Sequence, residues 1–178
     1  MANNDNSSKI ESGIFVQNAG IVLLNNYIPS LFERLNLIDQ NNFKGDQEKL
    51  EAVHFLQFLV AGNNRTEESI LALNKVLCGI HPSNHIGDGI PISADQIKIL
   101  ELCIEATIAN WPAIGVCSLQ GFMGNWLVRG GLLTEQADKW ELQVEKRAYD
   151  LLIERSPFSF SIIKFPWMNK PLHVTWAY

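Results

Sequence analysis

The amino-acid sequence predicts an α+β protein that is mainly α-helical, with helices in the N-terminal two-thirds and a small antiparallel sheet in the C-terminal third. Two patterns support this prediction. Residues 46–61 place apolar side chains three or four positions apart, which is helical spacing, whereas Trp140–Val144 alternates apolar and polar side chains like a half-buried strand. Because the helical patterns come first and the strand patterns last, the α+β class fits better than an alternating α/β fold.

Local start and stop signals place the helices along the chain. Ser93 and Gln96 have the spacing of a capping box, which predicts a helix start. Gly62 and Gly79 are suited to the positions just after a helix, and Pro29 is suited to a first helical turn. The predicted helices cover residues 29–37, 46–61, 66–78, 93–110, 118–129 and 146–155.

The strand predictions fall after residue 139, and the domain boundaries follow from the same patterns. Besides Trp140–Val144, residues 158–165 and 172–176 are strand candidates. We expect residues 1–12 to be a disordered leader and residues 13–178 to form a single domain. Within that domain, residues 13–130 are the helical part and residues 131–178 the α+β part.

A loop rich in glycine and proline interrupts the helical part. Residues 81–91 contain the residues that favour turns over regular structure, so this loop is the best candidate for a mobile segment.

The C-terminus is unusually aromatic for a chain end, where small polar residues are common. Residues 161–178 contain Trp167 and Trp176, two of the five tryptophans in the chain. Large aromatic side chains gain most when they leave water, so the segment is either the closing strand of the domain or a plug for a partner. Pro166, Trp167 and Met168 are therefore candidate interaction residues.

The composition excludes several classes of protein. With a net charge of −5 and no run of basic residues, the chain is not expected to bind nucleic acid. No apolar stretch is long enough to cross a bilayer, so membrane insertion is not expected. Three widely spaced cysteines make a disulfide framework improbable and indicate a reduced, cytoplasmic protein.

The sequence holds no convincing catalytic, cofactor or metal motif. Cys78, His81 and His85, with Asp88 nearby, have a spacing that could supply zinc ligands, but the paired knuckle of most structural zinc sites is missing. We predict no metal here, with a zinc-dependent enzyme as the alternative that metal analysis would test. No nucleophile elbow or phosphate loop is present, so we expect neither an enzyme nor a cofactor, and a small-molecule ligand is improbable.

Isolated polar side chains are assigned structural roles where the pattern allows it. His54 lies within an apolar helical pattern and His173 within a strand pattern, so we expect both to be packing residues. Arg147 and Tyr149 lie in a charged cluster that is either a solvated face with weak ion pairs or an interaction surface. We keep both as candidate interaction residues.

Several short segments, in order along the chain, resemble one protein family. Phe165-Pro-Trp-Met168 and Pro171-Leu-His-Val-Thr-Trp176 are similar to the closing signature of the tape measure proteins of contractile injection systems, the phage-tail-like particles of bacteria. The resemblance covers about residues 14–176. Its other segments are Val16–Leu24, Leu31–Leu35, Ala52–Leu59, Leu73–Gly79, Trp111–Pro112, Arg129 with Gly131–Leu133, and Glu145–Leu152.

The resemblance implies a structural role in tail-tube assembly, with tube, baseplate or cap proteins as partners. A helix rises about 1.5 Å per residue, so a compact chain of this size cannot by itself measure a tube hundreds of Å long. We therefore expect a terminal or anchoring domain, either a fragment of a longer ruler or a short stand-alone member. The alternative is a cytoplasmic adaptor or chaperone-like module for particle assembly. We expect a cytoplasmic location, with possible incorporation into the particle.

Overall fold

The computed structural model describes residues 13–176, so the predicted leader, residues 1–12, lies outside the described residues. In chain order the elements are β1 (Ile14–Val16), a 3₁₀ helix (Ala19–Leu24), α1 (Ile28–Arg34), β2 (Ile38–Asp39), β3 (Asn42–Phe43), α2 (Asp46–Ala61), a 3₁₀ helix (Glu68–Ile70), α3 (Ala72–Leu77), α4 (Ala94–Ala109), a 3₁₀ helix (Pro112–Ile114), α5 (Leu119–Phe122), a π-helix (Met123–Leu127), β4 (Gly131–Glu135), β5 (Trp140–Val144), a 3₁₀ helix (Ala148–Arg155), β6 (Ile162–Ile163) and β7 (Leu172–Thr175).

The α+β class is confirmed, but the main sheet differs from the prediction in two ways. Its strand order is β1-β4-β5-β7-β6, and β5 pairs with β7 in parallel, so the sheet is mixed rather than antiparallel. Its first edge strand, β1, comes from the N-terminal part of the chain. β1 is only three residues long, which is too short for alternation to be recognised, and the long connection after β5 brings β7 back in the same direction.

One face of this sheet packs against the helices and the other faces solvent. Leu142 lies opposite Leu133 on one neighbouring strand and Val174 on the other, and all three side chains are buried. On the opposite face, Phe15 lies opposite Leu132, and both remain substantially exposed. The three buried side chains share one face because alternate side chains of a strand point to opposite faces of the sheet.

The two long helices form as the sequence predicts. α2 covers the whole predicted segment and is followed by Gly62, whose φ of 68° places it in the left-handed region. α4 begins with the predicted capping box, because the Ser93 side chain accepts from Gln96 N and the Gln96 side chain accepts from Ser93 N. Both helices contribute buried apolar side chains to the hydrophobic core.

Shorter helices and strands depart from the prediction where the local sequence is ambiguous. The helix predicted over residues 118–129 is the four-residue α5 continued as a π-helix, in a stretch where Gly121 and Gly124 lower helix propensity. The helix predicted over residues 66–78 is a 3₁₀ turn followed by α3, and the one over residues 146–155 is 3₁₀. Of the strand predicted over residues 158–165, only β6 forms.

The aromatic C-terminus provides a closing strand of the sheet. β7 lies between β5 and β6 and pairs with both. Trp176 follows directly after β7 and is buried. Of the two alternatives derived from the sequence, closing strand or plug, the described residues form the closing strand.

Candidate functional site

The most unusual cluster in the fold is an ion pair between Arg129 and Asp150 in the interior. Nη1 of Arg129 lies 2.8 Å from Oδ1 and 2.9 Å from Oδ2 of Asp150, and the Arg129 side chain is 0% exposed. Arg129 Nη2 also donates to the carbonyl oxygen of Asn125 at 3.1 Å. Charged side chains are rarely this deeply buried without a partner, and here each charge neutralises the other.

Three aromatic rings surround the Arg129 guanidinium. Its Cζ lies 5.9 Å from the ring centre of Trp126, 5.5 Å from that of Tyr149 and 4.9 Å from that of Trp176. These distances are in the range of cation–π attraction, which is strongest where water is excluded. The rings therefore stabilise the buried charge in addition to the carboxylate.

The Asp150 carboxylate accepts hydrogen bonds from several parts of this cluster. Its Oδ2 accepts from Trp176 Nε1 at 3.0 Å and from the backbone N–H of Arg147 at 2.9 Å. Arg129, Asp150 and Trp176 come from three of the segments singled out in the sequence, and here they meet at one point. The cluster joins the start of β4, the 3₁₀ helix Ala148–Arg155 and the end of β7. We call these residues with Trp126 and Tyr149 the Arg129 cluster.

Arg147 and Tyr149, two predicted interaction residues, lie at the surface of the Arg129 cluster. Arg147 donates from Nη1 to Tyr149 Oη at 3.1 Å and from Nη2 to the carbonyl oxygen of Val128 at 3.1 Å. Tyr149 Oη donates to the carbonyl oxygen of Asn125 at 3.0 Å, and the Tyr149 side chain is 37% exposed. Both side chains are held in defined positions and remain reachable from solvent.

The other predicted interaction residues, Pro166, Trp167 and Met168, divide between surface and core. Pro166 is exposed, whereas Trp167 and Met168 are 9% and 3% exposed. Trp167 Nε1 donates to the carbonyl oxygen of Leu77 at 2.9 Å, and its ring stacks on that of Phe165 with centres 5.1 Å apart. The interaction role of this segment stays a prediction, and Pro166 is the part that a partner could touch.

The Leu73–Gly79 segment packs directly against the Trp167 backbone. Gly79 has a φ of 70°, and a Cβ atom there would lie 2.2 Å from the carbonyl oxygen of Trp167. Only glycine combines this backbone conformation with so close an approach. Two segments of the family pattern, far apart in sequence, therefore meet in the core.

Asn74 in the same segment belongs to a buried polar network. Asn74 Nδ2 donates to Gln57 Oε1 at 3.0 Å, and Asn18 Nδ2 donates to the same oxygen at 3.1 Å and to Asn74 Oδ1 at 2.8 Å. The network connects α2, α3 and the end of β1 through side chains that are all buried. Sequence reasoning missed Asn18 and Gln57, because a single polar residue in an apolar helix does not identify its partner.

Lys75 and Glu68 fix the loop that follows α3. Lys75 Nζ donates to Glu68 Oε1 at 2.7 Å and to the carbonyl oxygens of Pro82 and Asn84 at 3.1 and 2.8 Å. Glu68 Oε1 also accepts from the backbone N–H of Ile86 at 2.7 Å. The loop predicted to be mobile is thus anchored by two charged side chains, a role for Glu68 that the sequence did not reveal.

The pKa of Glu68 reflects these contacts. Partial burial of the carboxylate would raise its pKa, but the hydrogen bonds from Lys75 and from the Ile86 and Gly87 backbone outweigh it and lower the pKa from 4.5 to about 2. His85 Nδ1 lies 2.5 Å from Glu68 Oε2, so one histidine of the possible zinc cluster is already engaged there.

The possible zinc ligands are not brought together. Cys78 is fully buried, and burial raises the pKa of its thiol well above the usual range. His81 Nε2 lies 3.1 Å from Glu135 Oε2, and His85 contacts a different glutamate. Within residues 13–176, no group of three or more His, Cys, Asp or Glu residues could hold a metal ion.

The two histidines expected to be packing residues differ in burial. His54 is buried in α2, and its Nε2 has no hydrogen-bond partner among the described residues. Burial lowers the pKa of His54, although the Ile86 backbone and nearby Glu68 act against it. His173 is half-buried on β7 opposite Glu141 and Ile162.

None of the helices between residues 13 and 176 is both long and apolar enough to cross a membrane.

A search of curated proteins found no match, and a search of solved structures also found none. The family model of contractile injection system tape measure proteins matches residues 2–176, nearly the whole chain. The residues that meet in the Arg129 cluster and at Gly79 lie within this match. The chain therefore belongs to the family of contractile injection system tape measure proteins.

Proposed function

We propose that this chain is a non-enzymatic structural component of a contractile injection particle, which anchors or docks to tube, baseplate or cap proteins. Residues 13–178 would act as one domain in this role. Membership of the tape measure family supports a role in the particle. The particular partner and the docking mode are the parts of the proposal that go beyond family membership.

The proposal rests on one observation: the polar residues of the family segments are used for contacts inside the protein. Arg129 and Asp150 pair with each other inside the protein, Asn74 joins the buried network, and Lys75 binds the following loop. Catalytic groups in an enzyme would be expected to converge on an open pocket. Polar residues used for internal contacts support a rigid structural module instead.

Docking would then use side chains that these internal contacts hold at the surface. We propose that Pro166, Arg147 and Tyr149 contact the partner, whereas Trp167 and Met168 hold Pro166 in position from behind. Arg and Tyr are common at the centres of protein interfaces, and Arg147 and Tyr149 are already ordered by hydrogen bonds to the backbone. Binding would therefore require little further ordering of these side chains.

Particle purification tests this proposal. A tagged chain expressed with the injection-system genes should appear in purified particles together with sheath and tube proteins, detected by mass spectrometry. Pro166→Ser and Arg147→Glu should lower the amount of chain recovered with the particles, while circular dichroism shows that both purified variants remain folded. Complete absence of sheath and tube proteins would exclude the structural role.

The same purification separates the main proposal from its alternative. An adaptor or chaperone-like module would bind soluble particle subunits in the cytoplasm and be absent from finished particles. Recovery of the chain with unassembled subunits, and not with particles, would therefore support the adaptor and contradict incorporation.

A further inference from the structure

An apolar groove of about 430 Å³ lies between the end of α2, the middle of α4 and the α5–π-helix segment. Leu100 and Ile104 form its floor, and Phe58 and Met123 stand at its walls. Val128, another lining residue, is 42% exposed. We call this feature the α2–α4 groove. None of the five residues predicted from sequence to mediate interactions lines it.

The shape of the α2–α4 groove favours a helix as its occupant. Its lining residues belong to helical segments and their ends, and none of the strands in the described part of the chain lines it, so an added strand would find no backbone ladder to join. Leu100 and Ile104 are one helical turn apart on the floor, a spacing that side chains at positions i and i+4 of a bound helix can match. The π-helix in one wall, Met123–Leu127, is a rare conformation that is frequent at functional sites.

The charge around the groove favours a basic occupant. Among residues 13–176, Glu101 is the one charged side chain that lines it, and it is exposed. α4 carries three acidic residues and only one basic residue, Lys98. The C-terminal end of the 16-residue α2 also lines the groove, which places its partial negative charge there, and no basic residue occupies its last turn.

We propose that the α2–α4 groove binds one amphipathic helix of a partner protein, whose apolar face enters the groove and whose neighbouring Lys or Arg pairs with Glu101. This inference goes beyond the proposed docking function, because it names a second surface, separate from Pro166, Arg147 and Tyr149, and the chemistry of the partner that binds there. Its test uses isolated peptides, so it can fail even where the chain is found in particles.

Gly124 offers a way to close the groove without disturbing the fold. It lines the groove, and a Cβ atom there would meet no other atom within 4 Å. A Gly124→Phe ring would therefore project into open space and occupy the position of the ligand. Ala109→Phe, at the exposed end of α4 and outside the groove, is the matched control.

The experiment selects from a displayed library of 18-residue helical peptides built on an alanine-rich scaffold. Peptides that bind the wild-type chain are enriched, and those that also bind Gly124→Phe are removed. Enriched peptides should have apolar residues at i, i+4 and i+7 with flanking Lys or Arg. In fluorescence anisotropy, Gly124→Phe should weaken their binding at least about 10-fold. Ala109→Phe should leave binding unchanged.

Charge reversal at the rim provides a second, independent measurement. Glu101→Lys should weaken the same peptides by about 5-fold or more, as the loss of an attractive pair and the gain of a repulsive one predict. Glu33→Lys, an exposed glutamate on α1, should have no such effect. Failure to enrich any peptide, enrichment of acidic peptides, or equal binding by Glu101→Lys would each overturn the proposal.

Discussion

Trp176 Nε1 donates a hydrogen bond to Oδ2 of Asp150 at 3.0 Å, and this contact links the end of the last strand to a buried ion pair. The Arg129 guanidinium lies against both carboxylate oxygens of Asp150 and against the Trp176 ring. The aromatic C-terminus is therefore part of the interior of the protein. Its position depends on the Arg129 charge, which Asp150 neutralises directly.

Asp150→Asn should destabilise the fold by about 3–5 kcal/mol, because it removes the negative partner of the buried Arg129 guanidinium. Urea unfolding followed by circular dichroism measures the change. The control is Glu154→Gln, an exposed acidic residue on the same 3₁₀ helix, which should change the free energy of unfolding by less than about 0.5 kcal/mol. A loss of under about 1 kcal/mol for Asp150→Asn would show that the ion pair does not hold this region together.

The elements that sequence predicted correctly are those specified by neighbouring residues. The capping box of α4 needs only Ser93 and Gln96, and the alternation of β5 lies within five consecutive residues. α2 is also determined locally, by its apolar spacing and by Gly62. In these cases every group that determines the conformation lies within one or two turns of chain.

The contacts that could not be predicted from the sequence join residues that are far apart along the chain. Asp150 lies in the charged segment that contains Arg147, and nothing near it in sequence identifies Arg129, 21 positions away, as its partner. The short β1 strand gains its conformation from pairing with β4, which also lies far along the chain. The candidate site was predicted only in part for the same reason: Pro166 and Trp167 are adjacent, yet one is exposed and the other is buried against Leu77.

Gly79→Ala should destabilise the protein by about 2–4 kcal/mol. The substitution adds left-handed backbone strain, and its Cβ would lie 2.2 Å from the carbonyl oxygen of Trp167, a backbone atom that cannot move without shifting the core. Thermal and urea unfolding both report this loss.

Gly124→Ala is the matched control for Gly79→Ala. Gly124 has open space around its Cβ position and lies within the π-helix, so alanine should be neutral or stabilise by up to about 1 kcal/mol. Equal effects of the two substitutions would mean that the contact between Gly79 and Trp167 does not constrain the fold.

The Glu68 contacts predict an acid-sensitive loop. The pKa of Glu68 is about 2 in the folded protein and is usually 4.5, so its contribution to stability is complete above about pH 5 and is lost as the pH falls towards 2. The protection of residues 82–89 against hydrogen exchange, taken relative to their intrinsic exchange rates at each pH, should fall over this range, because Lys75 and the Ile86 backbone lose their charged acceptor. Glu68→Gln should give fast exchange of this loop already at pH 7.

Glu67→Gln controls for the general effect of removing an acidic charge. Glu67 is exposed and adjacent in sequence, and no hydrogen bond from its side chain to the loop is seen in the described residues. The loop should therefore exchange as in the wild type at pH 7. Unchanged loop exchange in Glu68→Gln would contradict the anchoring role of Glu68.

Protonation of His54 should lower the stability of the fold at a higher pH than protonation of Glu68 does. Burial lowers its pKa below the usual 6.5, so the unfolded chain takes up a proton that the folded protein resists. The His54 contribution is complete above about pH 6.5 and declines as the pH falls below it, by at most about 1.4 kcal/mol per pH unit. His54→Phe should flatten the dependence of the unfolding free energy on pH between 7.5 and 5.5, whatever its effect on absolute stability. A slope that persists in His54→Phe would assign the proton uptake to another group.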